Sequence, residues 1–474
     1  MNRQWEIKGF LETSGNHLQI CGVDAINLAN RYGTPLFVYS ASRIRDNIAR
    51  LRKAGEMIDC PLKLCYAAKA MSTLGILRAV KSAGCDVEVN SGGELWKALK
   101  AGFSGEQIIF NGTSKEEWEL EMAINAQIYA IQVDSPYELS MIDSTARRLG
   151  KKAAVSLRLV PEIESDTHSG LQTALLTSKF GMMPDEAFAA ICEYRESTAL
   201  DIRGIHLHIG SQNPDPGVYA EALGVLFGSL VQIYESTGIR LQHINLGGGF
   251  PVNYLRDRSV ETVFPDERRD MFGADFDPAN AIRLAWQEAI AANNENDDLF
   301  RGITLLLEPG RSIISDAGIC LTTVRNKKER PVVLDTSNSQ GAEIKEDIWL
   351  LTDAGFNILL SMETYKWYYH LISTNRADEL PDTAYKLAGP LCDGGDVYFD
   401  IEGFGRLPDH RMLPSNVQPG EILALLNCGA YSLAQASQYN GRFLPAVILI
   451  NADGKAELIR KRDGFDDLIF NDLL

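Results

Sequence analysis

Short apolar runs alternate with amphipathic stretches along the first two thirds of the chain, and each run ends in a cluster of Gly, Asn, Ser or Asp. Between the runs, stretches such as residues 93–100 place apolar side chains at i, i+3 and i+4, as in a helix with one buried face. Runs rich in β-branched residues and bounded by turn residues are typical of buried strands. We therefore predict eight strands, at residues 62–68, 85–90, 107–112, 129–134, 153–160, 202–210, 243–249 and 303–309.

Eight strands that alternate with helices predict a (β/α)8 barrel, a TIM-like α/β fold whose site lies at the carboxyl ends of the strands. The polar and Gly-rich clusters fall at these ends. An open, doubly wound sheet shows the same alternation, so the pattern alone leaves both folds open. The motifs described below favour the barrel.

After about residue 312 the pattern changes to shorter strand-like runs separated by turns, at residues 332–335, 397–400 and 446–450. This pattern is typical of an all-β domain. Residues 19–23 and 35–39 look like further strands that could complete the same sheet. We therefore predict a barrel at residues 36–312 and a discontinuous, C-terminal all-β domain formed by residues 1–35 and 313–474.

Composition narrows the class of function. The chain has 474 residues, 45% of them hydrophobic, and a formal net charge of -17. Nucleic-acid binding relies on clustered Lys and Arg, so no nucleic-acid partner is expected.

The first residues lack the basic and apolar blocks of a secretory signal, and no uninterrupted apolar run reaches membrane-spanning length. We expect a cytoplasmic protein without a membrane partner.

The eight cysteines are scattered without a C-x-x-C pair, so a disulfide framework or a metal site has little support. Most of them are expected to be buried free thiols.

Lys69 follows the first predicted barrel strand in the segment Y-A-A-K-A. Burying an ammonium group is costly unless it is paired or neutralised, and formation of an imine would remove that cost. A solvated lysine at the end of a strand explains this segment equally well when it is considered alone.

Two further segments lie at predicted strand ends. His206 and His208 alternate along the sixth strand and are expected to project to one face. They could be zinc ligands, but no third ligand of suitable spacing follows, so a stacking or proton-transfer role fits as well. The seventh strand closes on three glycines at 247–249, whose N–H groups could approach an anion, although a tight turn also explains them.

Later segments carry more polar side chains. Glu308 and Arg311 flank a Pro-Gly turn after the eighth strand, where a salt bridge is the plain alternative. Cys392 and Asp393 set a thiol beside a carboxylate in a Gly-rich loop. Tyr431 lies among small residues, where its hydroxyl could reach a phosphate.

Together these segments resemble the alanine-racemase-like, barrel-type pyridoxal-phosphate decarboxylases of fold type III, and most closely the diaminopimelate decarboxylases. The resemblance runs from about residue 35 to residue 445. It rests on the joint order of Y-A-A-K-A, H-L-H-I-G-S-Q, N-L-G-G-G-F, L-E-P-G-R-S, G-P-L-C-D-G-G-D and C-G-A-Y.

The resemblance implies pyridoxal 5'-phosphate as the cofactor and assigns roles to the matching residues. Lys69 looks like the lysine that holds the cofactor as an imine, and His208 like the histidine that stacks on its ring. Glu308 matches the acid that faces the ring nitrogen, where a carboxylate favours the protonated, electron-withdrawing ring. The remaining cofactor contacts implied are Ser211, Gly248, Gly249, Gly310 and Tyr431.

The same resemblance implies the reaction and the assembly. The α-carboxylate of an amino acid would leave as CO2, and a cysteine matching Cys392 is implicated in the protonation that follows. In the family this cysteine crosses a dimer interface, which implies an obligate homodimer with shared sites. Residues matching Arg311, Asp393 and Tyr431 would bind the substrate.

Two departures from the family pattern bear on the substrate. Diaminopimelate decarboxylases usually carry a segment like R-P-A-L-Y that helps bind the distal carboxylate, but residues 334–341 read L-D-T-S-N-S-Q-G here. Their C-E-S-x-D loop is replaced by Cys392-Asp393-Gly394-Gly395-Asp396, which is more like the loop of ornithine decarboxylases. A pocket without the carboxylate clamp favours a basic diamino acid, with D-lysine or D-ornithine preferred.

Several alternatives stay open at this point. One is meso-diaminopimelate itself, and another is a siderophore or antibiotic precursor, because the aromatic stretch 363–382 could shape an unusual pocket. A racemase of the same fold would place an arginine, not Glu308, at the ring nitrogen. A non-catalytic regulatory homologue would be expected to lose catalytic residues that this chain retains, and a zinc hydrolase has only the two histidines in its favour.

Overall fold

The computed structural model describes residues 4–58, 60–160, 178–256, 268–333 and 344–473. The chain divides into two compact units. The barrel unit comprises Ile44–Val252 and Asp275–Ile313, and the β unit comprises Met1–Arg43, Asn253–Ala274 and Ile314–Leu474.

The strands, numbered in chain order, are β1 Leu11–Ser14, β2 His17–Ile20, β3 Val23–Asp24, β4 Leu36–Ser40, β5 Leu62–Ala67, β6 Asp86–Val89, β7 Ile108–Phe110, β8 Ala130–Val133, β9 Ala153–Arg158, β10 Leu200–His206, β11 His243–Asn245, β12 Thr304–Leu307, β13 Gly318–Val333, β14 Ile344–Thr352, β15 Leu371–Ser373, β16 Thr383–Ala388, β17 Arg411–Leu413, β18 Ile422–Leu425, β19 Ala446–Ile450 and β20 Ala456–Arg460.

The α-helices are α1 Ala25–Tyr32, α2 Ala41–Ile58, α3 Leu74–Ser82, α4 Gly92–Ala101, α5 Glu117–Asn125, α6 Pro136–Leu149, α7 Pro184–Tyr194, α8 Pro216–Thr237, α9 Arg269–Phe272, α10 Pro278–Ala292, α11 Asp297–Phe300, α12 Arg311–Ile314, α13 Leu360–Thr364 and α14 Phe465–Leu468.

The eight strands from β5 to β12 form a closed parallel barrel in sequential order, with β12 pairing back to β5. Each of the eight predicted runs contains or overlaps one of these strands, so the predicted (β/α)8 barrel is confirmed and the open sheet is wrong. Part of the interior is a small apolar cluster of Cys65, Ile109, Ala130 and Leu306. Parallel strands covered by helices are buried on both faces, which is why they read as apolar runs.

Local sequence signals set the ends of the barrel helices. Ser91 caps α4 by accepting a hydrogen bond from the Glu94 N–H, and Gly102 ends the helix in a left-handed conformation. Ser135 caps α6 in the same way, with a proline at the first helical position. A hydroxyl before the helix satisfies an otherwise unpaired N–H, and glycine accepts the left-handed end without strain.

The β unit contains a mixed sheet whose main path runs β17-β16-β14-β13-β4-β19-β20, with β18 pairing to β13 and β15. A separate antiparallel sheet of β1, β2 and β3 packs through Leu18 and Ile20 on the core formed by residues such as Leu36 and Ile448. The predicted all-β domain is therefore confirmed.

Two predicted details of this unit differ from the structure. Residues 19–23 belong to the separate small sheet and not to the larger one. Residues 397–400 form no strand, because only Val397 makes an isolated bridge and Asp400 turns to bind Arg406. The predicted strand 332–335 extends beyond the described residues after Val333, whereas 446–450 is strand β19.

The units also differ from the predicted boundaries. Residues 36–43 group with the β unit because β4 pairs with both β13 and β19. Residues 253–274, which we predicted as part of the barrel, also belong to this unit.

The aromatic stretch 363–382 contributes to the core of the β unit. The Trp367 ring lies edge-on to Tyr254, with centroids 5.3 Å apart, and to Phe272 at 5.0 Å. Tyr368 and Tyr369 are buried beside it. These rings pack against one another, so the structure gives them a role in stability.

Among the described residues, α8 is the one helix long and apolar enough to cross a membrane. One of its faces is buried in the barrel unit, where the Phe227 ring packs on Trp286 at 5.1 Å and on Phe300 at 4.4 Å. An apolar helix that covers a parallel barrel has this composition for packing reasons.

The close approach of β10 and β11 generates a stability prediction. A Cβ added at Gly204 would lie 2.3 Å from His243 Nε2 and 2.6 Å from the His243 carbonyl oxygen. We expect Gly204→Ala to lower the free energy of unfolding by about 1–3 kcal/mol, because the backbone of the paired strand cannot move aside cheaply. Urea unfolding measures the change.

The matched control is Gly224→Ala on the exposed side of α8, where a Cβ meets nothing within 4 Å. Alanine favours a helix over glycine by about 1 kcal/mol, so this variant should be slightly more stable than the parent. Equal effects of the two substitutions would contradict the packing argument.

Candidate functional site

Glu308 directly follows β12 and is only 6% exposed. Its two carboxyl oxygens are held by asparagines from other strands of the barrel. The Asn245 side-chain amide donates to Oε1 at 2.7 Å, and the Asn111 amide donates to Oε2 at 2.9 Å. The barrel therefore holds one buried carboxyl group in a fixed orientation at the carboxyl end of its strands.

A second buried carboxyl group lies close by. The Asn111 amide nitrogen also donates to Glu88 Oε1 at 2.9 Å, and Glu88 is fully buried in β6. Burial raises the pKa of Glu308, and the charge of Glu88 raises it further. The Asn245 hydrogen bond, the Lys69 charge and the Asn111 hydrogen bond lower it, and the net effect raises the pKa of Glu308 to about 7.

Lys69 lies in a single 3-10 turn, Ala68–Ala70, at the end of β5. The start of this turn is tied to the Glu308 segment, because the Ala67 N–H donates to the Pro309 carbonyl at 3.1 Å. The positive charge of Lys69 contributes to the pKa values of Glu308, His206 and His208. The predicted lysine and acid therefore belong to one electrostatic cluster.

The two histidines have different surroundings. Strand β10 ends at His206, so His208 lies in the segment after it and not on the strand as we expected. His208 Nδ1 accepts the Gly248 N–H at 3.1 Å. Burial, followed by the charges of Lys69 and Arg158, holds the pKa of His208 well below its usual value, so the ring is neutral.

His206 is fully buried, with Nε2 3.7 Å from Glu308 Oε2. Burial first, and then the charge of Arg158, holds the pKa of His206 well below its usual value. Within the described part of the chain, groups of three or more His, Cys, Asp or Glu side chains that could hold a metal ion are absent.

The three glycines after β11 approach the site closely. A Cβ at Gly247 would lie 2.4 Å from His208 Nδ1, and a Cβ at Gly248 would lie 2.4 Å from the Glu308 carbonyl oxygen. Gly249 has a φ of 95°, in the region that favours glycine. The glycines therefore let the backbone pack directly against His208 and Glu308, where a Cβ would clash.

Ser211 and Arg311 lie together near these glycines in the barrel unit. The Arg311 Nε and Nη2 atoms both donate to Ser211 Oγ at 3.3 Å. Gly310, just before Arg311, is buried, and its carbonyl accepts the Ile313 N–H at 3.1 Å. We predicted that Arg311 contacts the substrate. In the structure it donates hydrogen bonds to Ser211, which we predicted as a contact of the cofactor.

Cys392, Asp393 and Tyr431 belong to the β unit. All eight cysteines lie in the described ranges and are free, and Cys392 is the exposed one. Tyr431 is half-buried and has a φ of 55°. The Gly429 N–H donates to the Ser315 carbonyl at 2.9 Å, which fixes the segment that carries Tyr431.

Comparison with known proteins decides the family. Residues 42–315 match the family described as "Pyridoxal-dependent decarboxylase, pyridoxal binding domain". The chain is 33% identical to the diaminopimelate decarboxylase of Methanocaldococcus jannaschii, over 98% of this chain and 97% of that protein. The chain belongs to the pyridoxal-dependent decarboxylases.

Other comparisons agree. The Bacillus subtilis diaminopimelate decarboxylase is 32% identical over 96% of this chain and 95% of its own length. The crystal structure of the Methanocaldococcus jannaschii diaminopimelate decarboxylase in co-complex with L-lysine superposes with a TM-score of 0.81 at 32% identity, over 98% of each chain. This decarboxylase is thus a pyridoxal-phosphate-dependent lyase that acts on an amino acid, as the sequence motifs indicated.

The sequence motifs missed the side chains that surround Glu308 in the decarboxylase. Glu88, Asn111, Asn245 and Arg158 are all buried at or near the ends of barrel strands. Each is a polar residue inside, or at the end of, a run that is otherwise largely apolar. That interruption is the signal that could have found them, since a buried polar group requires a partner.

The raised pKa of Glu308 predicts a pH dependence of stability in the cofactor-free protein. An ordinary glutamate has a pKa of 4.5, whereas Glu308 keeps its proton in the folded state up to about pH 7. Between these values the glutamate is ionised in the unfolded chain but not in the folded chain, so the free energy of unfolding falls as the pH rises. This decrease is roughly 3 kcal/mol at most, and we expect it to be absent in Glu308→Gln.

Urea unfolding between about pH 4.5 and pH 8 measures this difference. Glu88→Gln is the control, because removing the Glu88 charge should lower the pKa of Glu308 and reduce the same loss. Parallel pH profiles for the parent and Glu308→Gln would show that Glu308 is not the titrating group.

Proposed function

We propose that the decarboxylase removes one carboxylate of meso-diaminopimelate and releases L-lysine and CO2. The observation that carries this proposal is the near-complete match to diaminopimelate decarboxylases at about one third identity. L-Lysine in the co-complex of the relative is the expected product bound to that protein. These relatives favour meso-diaminopimelate over D-lysine and D-ornithine, the substrates that the altered motifs had led us to prefer.

The earlier preference for D-diamino acids rested on residues 334–341, which lie outside the described residues. The other altered segment, the loop with Asp393, keeps a carboxylate that suits the distal ammonium group of either kind of substrate. The loop therefore does not distinguish the two.

The barrel unit fits pyridoxal phosphate. The glycines at 247–249 let the backbone approach His208 and Glu308 more closely than a Cβ would allow, and Glu308 offers a buried carboxyl group there. Ser211, Arg311 and the Gly249 amide would hold the phosphate, with Gly310 in the adjacent turn and Tyr431 contributing its hydroxyl. The Gly248 N–H is engaged by His208 in this structure, which leaves it a weaker candidate than Gly249 for phosphate binding.

Glu308 would face the ring nitrogen of the cofactor and hold a proton there. The two asparagine amides orient its carboxyl oxygens, and a cationic ring would lower its pKa and favour the ionised carboxylate. Neutral His208 would lie against the face of the ring, since its Nδ1 is fixed by the Gly248 N–H. Lys69 would supply the amine that attaches the cofactor.

When bound, pyridoxal phosphate withdraws electrons from the α-carbon of an attached amino acid, which allows the bond to the carboxylate to break. CO2 would leave, and the electron pair of the broken bond would be available to take up a proton at the α-carbon. The Cys392 thiol would then donate a proton to that carbon and regain one from water. Asp393 would bind a charged group of the substrate.

We further propose that the protein is a homodimer in which Cys392 and Asp393 serve the site of the partner subunit. Cys392 is exposed on its own chain, as a residue that acts on a partner needs to be.

The substrate is tested by measuring CO2 release from meso-diaminopimelate, D-lysine, D-ornithine and the L-forms by the cofactor-loaded protein. We expect turnover of meso-diaminopimelate to exceed that of the other substrates by at least about 100-fold in kcat/KM, since loss of a paired distal group costs several kcal/mol. Lys69→Ala is the control for cofactor-dependent turnover. Preferential turnover of D-lysine or D-ornithine would overturn the substrate proposal.

Shared sites are tested by mixing two inactive variants, Lys69→Ala and Cys392→Ala, under conditions that exchange subunits. Half of the dimers would be mixed, each with one intact site, so the activity should recover to about a quarter of the parent value. Each variant mixed with itself is the control. If activity does not recover although subunits exchange, each site is built from a single chain.

A further inference from the structure

The loop at residues 389–396 carries the two proposed site residues of the β unit, Cys392 and Asp393. Asp396 holds one part of the loop in place. Its carboxylate accepts the N–H of Leu391 within the loop and the N–H of Phe356 outside it, both at 2.8 Å. Cys392, Asp393 and Gly394 are exposed. The positions of the thiol and the carboxylate therefore depend on additional contacts made by this exposed part.

A turn far along the sequence provides these contacts. The Asn440 side-chain oxygen accepts the Cys392 N–H at 2.7 Å, and the Tyr439 hydroxyl donates to Asp393 Oδ2 at 3.2 Å. The Arg442 guanidinium donates to the Pro390 carbonyl at 2.7 Å. Three residues of one turn thus bind three residues of the loop.

The turn is well supported. Its backbone forms the single 3-10 turn Tyr439–Gly441, in which Asn440 has a φ of 55°. The Gln438 side chain, just before the turn, donates to Asp463 at 2.8 Å. Asparagine tolerates the left-handed conformation better than most residues, so the turn can present the Asn440 side chain at this position.

The hydrogen bond from Tyr439 leaves the Asp393 carboxylate able to accept further hydrogen bonds. Its Oδ1 accepts the Gly395 N–H at 2.9 Å, and its Oδ2 accepts the Tyr439 hydroxyl. A carboxylate can accept about four hydrogen bonds. The two contacts therefore orient Asp393 and still leave room for an ammonium group.

We propose that Asn440 and Tyr439 are positioning residues for the catalytic loop. Asn440 fixes the backbone at Cys392 and so directs the thiol, and Tyr439 fixes the direction of the Asp393 carboxylate. This assignment rests on the proposed function for the roles of the thiol and the carboxylate. The contacts themselves can be tested without turnover.

The direct test compares Asn440→Gly with Asn440→Asp in the full-length, cofactor-loaded protein. Glycine keeps the left-handed backbone and removes the acceptor, whereas aspartate restores an acceptor oxygen. Residue-resolved hydrogen exchange should show the Cys392 amide exchanging roughly five- to tenfold faster in Asn440→Gly and near the parent rate in Asn440→Asp. The Leu391 amide, held by Asp396, is the internal control.

Kinetics separate the two roles. Asn440→Gly should lower kcat with little change in KM, and Asn440→Asp should restore it. Tyr439→Phe keeps the ring stacked on Phe356, at 5.9 Å between centroids, but removes the hydroxyl, so it should raise KM several-fold with little change in kcat.

An unchanged Cys392 exchange rate in Asn440→Gly, or a fall in kcat without a rise in KM in Tyr439→Phe, would overturn the proposal. If the parent protein decarboxylates none of the amino acids tested, the proposed function fails. The exchange rates then still decide whether the turn holds the loop.

Discussion

The buried carboxyl group of Glu308 sets the constraints for the rest of the site. A carboxyl group inside a barrel is costly unless hydrogen bonds compensate for lost water, and here the compensation comes from Asn245 and Asn111. These asparagines lie at or just after the ends of β11 and β7, so the hydrogen bonds require a closed barrel with these strands in register. The Glu308 carboxyl group can therefore keep its orientation only in the folded barrel.

The same constraint explains why the surroundings of Glu308 are so polar. Glu88 shares the Asn111 amide with it, and the charge of Glu88 raises the pKa of Glu308. Burial first, and then the positive charges of Lys69 and Arg158, lower the pKa values of His206 and His208 and keep both rings neutral. A neutral imidazole can lie against an aromatic cation without repulsion, which suits the position proposed for His208.

Much of this could be predicted from the sequence. The barrel strands were predictable because strands buried on both faces leave apolar runs, and Lys69 and Glu308 because each closes such a run. The Glu88 and Asn111 contacts were not predictable, since their meaning depends on which strands become neighbours. The hydrogen bond from Cys392 to Asn440 joins segments far apart in sequence, and only the folded chain brings them together.

The order of strands in the β unit has a consequence for how the protein is made. Strand β4 lies between β13 and β19, which are synthesised only after the whole barrel segment. Domains generally fold as units while the chain emerges from the ribosome. The barrel segment is complete while β4 still has neither of its neighbours, so an apolar strand near the amino terminus must wait unpaired until about two thirds of the chain has been synthesised. An apolar strand that stays unpaired during that interval exposes the nascent chain to aggregation, the hazard that chaperones counter.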